Sequence, residues 1–99
     1  MSGQQTRHAS KKYLMLKPGD SVALALEPLE VGDSAKFSSI QVRIAEPIEF
    51  GHKFAARGIK KGENILKHGE VIGRATRDIK AGEHVHVHNI ESLRARREK

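Results

Sequence analysis

The sequence contains no cysteine and no tryptophan, and its aromatic residues are three Phe and one Tyr. Without cysteine, disulfide staples and thiolate metal sites are excluded. So few aromatics leave little with which to stack nucleic-acid bases. Long apolar runs are also missing: none approaches the ~20 residues a membrane span needs. The opening residues, MSGQQTRH, lack the apolar centre of a signal peptide. A cytoplasmic address with no membrane partner is therefore the default expectation. What remains is 99 residues, 37% hydrophobic and 30% charged. That is one domain. A chain this short buries only roughly 60–65% of its unfolded surface, so a partner can readily extend its core.

The net charge of +6 points toward nucleic acid only if it lies on the folded body. Residues 1–12 carry Arg7, Lys11 and Lys12 with no acid. Residues 91–99 carry Arg94, Arg96, Arg97 and Lys99 against Glu91 and Glu98. Residues 13–90 hold eleven basic and ten acidic side chains, a net of +1. A basic stripe is the footprint of nucleic-acid binding, and here the excess sits at the two ends. No nucleic-acid partner is expected. The sequence divides into a tail over 1–12, a domain over 13–90 and a basic tail over 91–99.

One short pattern recurs four times: an aliphatic residue, two variable positions, Gly, an acid, a polar residue, then a small or aliphatic residue. It runs Leu16 to Val22, Leu29 to Ala35, Ile59 to Ile65 and Ile79 to Val85. Gly19, Gly32, Gly62 and Gly82 can adopt the positive φ that such turns require. Pro18 suits the position before a turn glycine. The flanking aliphatics can pin each turn to a core while the acids and lysines face water. Turns this frequent leave no space for long helices. Short β segments are expected over residues 13–16, 22–26, 40–44, 53–56, 64–67, 71–75 and 85–90, the last with the cleanest period of two. Residues 22–26 could instead form one helical turn. The composite expectation is a single small all-β domain of short strands and glycine turns.

The segment His84-Val85-His86-Val87-His88-Asn89 carries the chemistry. In an extended strand, residues i and i+2 share a face roughly 6.5–7 Å apart. The three imidazoles are then expected on one face and the valines on the other, toward the core. Imidazoles so placed can donate or accept protons near neutral pH or share a borderline metal ion. No cysteine or carboxylate is spaced to complete such a site within this chain, so His84, His86 and His88 form a metal set only if another chain closes it. Asn89 adds an amide that both donates and accepts. His52, after Gly51, and His68, before Gly69, are further candidates. The bland alternative is a solvated polar face that happens to use histidine.

Residues 51–89 resemble the small N-terminal domain of the altronate dehydratase family, which also includes galactarate dehydratase and the small subunit of (2R)-sulfolactate sulfo-lyase. The likeness rests on Gly51-His52-Lys53-Phe54-Ala55, Ile59 with Gly62, Ile65-Leu66-Lys67-His68-Gly69, Ile72-Gly73-Arg74-Ala75, Asp78-Ile79 and the run from Ala81 to Asn89. The first half matches more loosely, through Gly19-Asp20-Ser21-Val22-Ala23 and Pro47 ahead of Gly51-His52. Two departures are His68, where the family often has tyrosine, and Arg57-Gly58, where an acid commonly precedes the isoleucine. The galactarate branch lacks the alternating histidines, which places this chain nearer the altronate and sulfolactate branches. The resemblance implies a β-clip fold of the SAF type. It implies participation in elimination from an anionic 2-hydroxy acid, assisted by iron(2+) or another divalent metal: water leaves altronate or galactarate to give a 2-keto-3-deoxy acid, or sulfite leaves sulfolactate to give pyruvate. It also implies a large catalytic subunit as partner, without which this chain is inactive.

Such an elimination needs a base at the carbon beside the carboxylate, stabilisation of the enolate, and help for the leaving group. On this reading His86 and His88 are the catalytic candidates, with His52, Lys53, Arg74 and Asn89 binding substrate. Two other classes stay open: a non-catalytic assembly module whose strand edge docks a partner, and a free-standing anion-binding domain. Edge strands also make self-association of the chain an expectation in concentrated samples.

Overall fold

A computed structural model describes residues 12–38 and 40–92; the expected tails over 1–12 and 91–99 fall almost wholly outside them. The described residues are all-β, in nine short strands. These are β1 (Tyr13–Leu14), β2 (Val22–Ala25), β3 (Ser34–Phe37), β4 (Ile40–Arg43), β5 (Lys53–Ala55), β6 (Asn64–Lys67), β7 (Glu70–Ala75), β8 (His84–Val85) and β9 (Ile90–Ser92). No helix among them is long and apolar enough to cross a membrane. Three antiparallel sheets result: β1-β2-β5-β8, β3-β4 and β6-β7-β9. Of residues 22–26, Val22–Ala25 form strand rather than a helical turn. β3 was not expected from sequence, and β9 carries the fold through Ser92, past the expected limit at residue 90.

The glycine turns organise everything else. In each of the four, the backbone N–H of the acid donates to the carbonyl three residues earlier: Asp20 to Lys17, Asp33 to Glu30, Glu63 to Lys60 and Glu83 to Lys80, at 2.9–3.1 Å. The acid's own carboxylate accepts from the N–H of that same earlier residue, at 2.9–3.1 Å. With the glycines at φ of 87–95°, these are type II turns locked twice. A fifth turn has the same form. His52 N–H donates to the Glu49 carbonyl at 3.0 Å, and Gly51 has φ of 84°. Here a histidine occupies the acid's position.

Counting the fifth turn reveals a duplication. Leu29 pairs with Ile48, and Ile59 pairs with Ile79, each through two reciprocal backbone bonds of 2.7–3.0 Å. The N–H of Gly32 bonds to Ile44 and that of Gly62 to Ala75; Gly51 bonds to Ala25 and Gly82 to Ala55. Two hairpin units of about thirty residues thus repeat, with β2 and β5 antiparallel between them. A bulge near Ile65 and Leu66 adds one residue to the second unit.

Each unit brings its own core. Ala23, Ala25, Leu29, Ala35, Val42, Ile44, Ile48 and Phe54 form one cluster; Val22, Ala55, Ile59, Ile65, Ala75, Ile79 and Val85 form the other. Alternation along β2 and β5 sends neighbouring residues into different clusters, so the central sheet is covered on both faces. The expectation that the turn acids face water fails at Asp20, which is 3% exposed. Its carboxylate reaches across to the two-residue hairpin turn His68-Gly69, accepting their N–H groups at 2.7 and 2.9 Å. Ser21, fully buried, continues the seam through Leu66 at 3.0 Å in both directions.

Candidate functional site

The strand expected over residues 85–90 ends at Val85. Asn89 is the reason. Its Oδ1 accepts the His86 N–H at 3.0 Å, and its Nδ2 donates to the His84 carbonyl at 2.9 Å. The N–H groups of Asn89 and Ile90 both donate to the His86 carbonyl, at 3.0 and 3.1 Å. An asparagine offering the backbone these local bonds competes with the sheet ladder, so residues 86–89 curl into a turn. The alternation therefore breaks: Val85 is fully buried, whereas Val87 is 78% exposed.

The imidazoles nevertheless gather, and a fourth joins them. Phe54 is opposite His84 in the β5–β8 pairing. His52 precedes Phe54 by two residues and shares its face. His52 Nδ1 and His84 Nε2 share a hydrogen bond of 2.9 Å. Their ring centroids are 5.0 Å apart with planes 25° from parallel. Nitrogens this close at that separation place the rings side by side, each in-plane nitrogen facing the other. His86 lies 5.5 Å from both His52 and His84, and His88 lies 5.4 Å from His84, between centroids.

Two carboxylates that the sequence reading overlooked border this cluster. Glu46 Oε2 accepts the His84 backbone N–H at 3.0 Å. Exposed Glu49 lies 3.7 Å from His52 Nε2, at ion-pair rather than hydrogen-bond range. The signal for Glu49 was its place three residues ahead of His52, the same offset that joins acid to backbone in the other turns. Nothing local marked Glu46, whose partner lies 38 residues away.

The remaining expected residues do not join the cluster. Lys53 pairs with Leu24 and Val85, on the opposite face of the sheet from the imidazoles. Its ammonium is held below the usual lysine range, first by burial and then by the charge of Lys67. Arg74 belongs to a different sheet, opposite Asn64 and Glu91. His68 is an exposed turn residue with φ of 56°. Asn89 is 3% exposed, and its amide is engaged at both ends by the turn. Among the described residues, no three His, Asp or Glu side chains are placed to hold a metal ion. His84, His86 and His88 are thus not a ready-made three-ligand set within this chain; the expectation named them only together with ligands from another chain.

The cluster can handle protons. His84 is held below the ordinary imidazole range, first by burial and then by repulsion from His52, His88 and His86, with Glu46 pulling the other way. A neutral ring follows near neutral pH, with its Nε2 engaged by His52. The same shift fixes a sign for stability. The unfolded chain takes up the His84 proton more readily than the folded one, so the contribution is intact above the ordinary value of about 6.5 and is lost as pH falls through the lowered one. Urea midpoints measured downward from about pH 7.5 should therefore decline below about pH 6.5, and His84→Gln should flatten that decline. A wild-type midpoint constant across this window would contradict the assignment.

A small all-β domain built from two glycine-turn hairpin units, presenting a four-imidazole face, is the class these features define. The family model of the altronate/galactarate dehydratase SAF domain matches residues 11–93, and the chain belongs to that family. It is 35% identical over 82 residues to altronate dehydratase of Bacillus subtilis (strain 168), covering 83% of this chain and 16% of the relative. It is 41% identical over 78 residues to altronate dehydratase of Escherichia coli (strain K12), covering 79% and 16%. With the (2R)-sulfolactate sulfo-lyase subunit alpha of Chromohalobacter salexigens it shares 39% identity over 56 residues, covering 57% and 60%. The chain thus spans about a sixth of the altronate dehydratases it matches.

Proposed function

We propose that this chain is the small component of a two-part hydroxy-acid lyase of the altronate dehydratase type, with its imidazole face forming part of the active site at the junction with a large catalytic component. The observation that carries the reading is the convergence of His52, His84, His86 and His88; Phe50 and Val87, their neighbours in sequence, are 67% and 78% exposed. On this reading a partner seated on the imidazole face covers those two apolar side chains as well. The difference in length between this chain and its altronate dehydratase relatives supplies the natural occupant, a large lyase component. In the reaction, a base takes the proton beside the substrate carboxylate, the electron pair passes through the enolate to expel the neighbouring hydroxyl, and that hydroxyl takes a proton from a general acid and leaves as water. On this reading the anionic hydroxy acid meets the exposed His86 and His88 side chains. The iron or other divalent ion expected of the complete enzyme is then held by the large component. Loss of sulfite from sulfolactate is the second reading, favoured by the likeness to the sulfo-lyase alpha subunit.

The test combines this chain with a large altronate dehydratase component or a sulfo-lyase beta subunit. Keto-acid formation from altronate and sulfite release from sulfolactate are then measured. Turnover is expected only in the combination, and the His86→Ala, His88→Ala double variant should lose on the order of 10²–10⁴-fold while still binding its partner. Unchanged turnover in the double variant would reduce the face to an assembly surface.

A further inference from the structure

The hydrogen bonds around the four imidazoles differ in where they come from. His86 is held through its backbone alone, by its turn neighbours Asn89 and Ile90, and its side chain and that of His88 are exposed. His84 is tied at three separate places. Its backbone N–H is held by Glu46 at 3.0 Å, its carbonyl by the buried Asn89 amide at 2.9 Å, and its ring by His52 at 2.9 Å. The three ties arrive from three directions in the chain: the loop after β4, the turn after β8, and the start of β5. His84 is also the ring in contact with each of the other three imidazoles.

From this geometry we propose that His84 is the imidazole the fold is built to aim, with Glu46, His52 and Asn89 as its positioning residues. The inference rests on the lyase reading above for its catalytic meaning, but the positioning itself belongs to this chain alone. Glu46 reaches His84 through one acceptor oxygen at 3.0 Å, an atom that the side-chain amide of Gln also offers. His52 departs from the pattern of the other four turns, where an acid at its position closes the turn with its own side chain. Placing histidine there gives up that second lock and releases a ring to reach His84. Asn89 takes residues 86–89 out of the strand, because its amide bonds to His84 and His86 replace the sheet ladder there. A reacting group displaced by about 1 Å can lose on the order of 10²-fold in rate, which is the scale that positioning residues defend.

Two measurements test this. In the combined enzyme, His84→Ala should remove turnover by at least the ~10²-fold associated with a general acid or base. Glu46→Ala and His52→Ala should lower kcat about 10- to 100-fold with KM within about twofold. Glu46→Gln, which keeps an acceptor oxygen, should recover most of the loss. If Gln is as damaging as Ala at position 46, or if His84→Ala turns over normally, the proposal is overturned. In the isolated full chain, NMR should show a through-hydrogen-bond nitrogen coupling between the His52 and His84 rings that disappears in His52→Ala and persists in Glu46→Gln. Absence of that coupling in the wild type overturns the positioning, whatever the enzyme does. A coupling present together with an inactive wild-type combination would instead count against the lyase reading and leave the positioning standing.

Discussion

Gly82→Ala is expected to destabilise the domain by more than about 4 kcal/mol, which falls in the exceptional range for a single substitution, whereas Gly19→Ala should cost only about 1–2 kcal/mol. Both glycines have the positive φ of a type II turn, 88° and 91°. At Gly19 an added Cβ would meet nothing within 4 Å, so only the backbone strain of a non-glycine residue remains. At Gly82 the same atom would fall 2.0 Å from the Arg43 carbonyl oxygen and 3.0 Å from the Ala45 nitrogen. Those are backbone atoms and cannot swing aside. Moving them breaks the 3.0 Å bond from Ala45 N–H to the Gly82 carbonyl, a crossing between the two hairpin units. With a domain of this size stabilised by roughly 5–15 kcal/mol, the Gly82 variant should be largely unfolded or strongly shifted in urea. Midpoints of urea unfolding, compared at constant slope, separate the two. Equal shifts would mean that turn strain alone is at work.

That pair of glycines shows what was legible in the sequence and what was not. Gly19 and Gly82 stand in the same heptapeptide pattern, and the pattern correctly placed a turn at each. Nothing in the pattern distinguishes a turn in open solvent from one pressed on another strand, because the pressing strand lies about forty residues away. The fifth turn escaped for a different reason. A search keyed on Gly followed by an acid passes over Gly51-His52, although Ile48 and Phe54 stand where the other copies have their aliphatics. With that copy missing, the duplication of two hairpin units was hidden as well. β3 escaped because Ser34, Lys36 and Ser38 leave Ala35 as its one buried side chain.

The site was legible in its residue types and less so in its geometry. Period-two alternation predicted that His84, His86 and His88 share a face, and their rings do gather. The route differs, since the Asn89 turn and not a strand brings them together. Alternation read alone also placed Val87 in the core, where the turn leaves it in solvent. Lys53 was grouped with the histidines as a cation for an anionic substrate, yet it adjoins His52 in the chain, and adjacency in a strand means opposite faces. The partners that orient His84 come from Glu46 and His52, both more than thirty residues distant. Long-range hydrogen bonds of this kind leave no periodic trace in a sequence.

Asp20→Ala is the second substitution with a large expected effect, about 3–5 kcal/mol, and it acts through the backbone. The buried Asp20 carboxylate accepts three N–H groups: Lys17 at 3.1 Å, His68 at 2.7 Å and Gly69 at 2.9 Å. Each hydrogen bond to a charged group contributes about 1.5–3 kcal/mol net, and three sharing one acceptor are not additive. Alanine removes all of them at once. Asparagine keeps one acceptor oxygen and turns a donor toward an N–H that wanted an acceptor, so Asp20→Asn should lie between wild type and Ala. The damage should also be local before it is global. His68 and Gly69 both have positive φ, 56° and 77°, and for His68 that conformation is strained unless the surroundings hold it. Amide exchange at His68, Gly69 and along β6–β7 should therefore accelerate in Asp20→Ala. The turn that carries His86 and His88 is tied to β7 through Thr76 N–H and the Asn89 carbonyl at 2.9 Å, so it should loosen next. The His52–His84 contact, built on the central sheet, should persist longest. Simultaneous loss of protection at all of these amides would mean that the domain opens only as a whole, and that Asp20 serves overall stability without anchoring one hairpin.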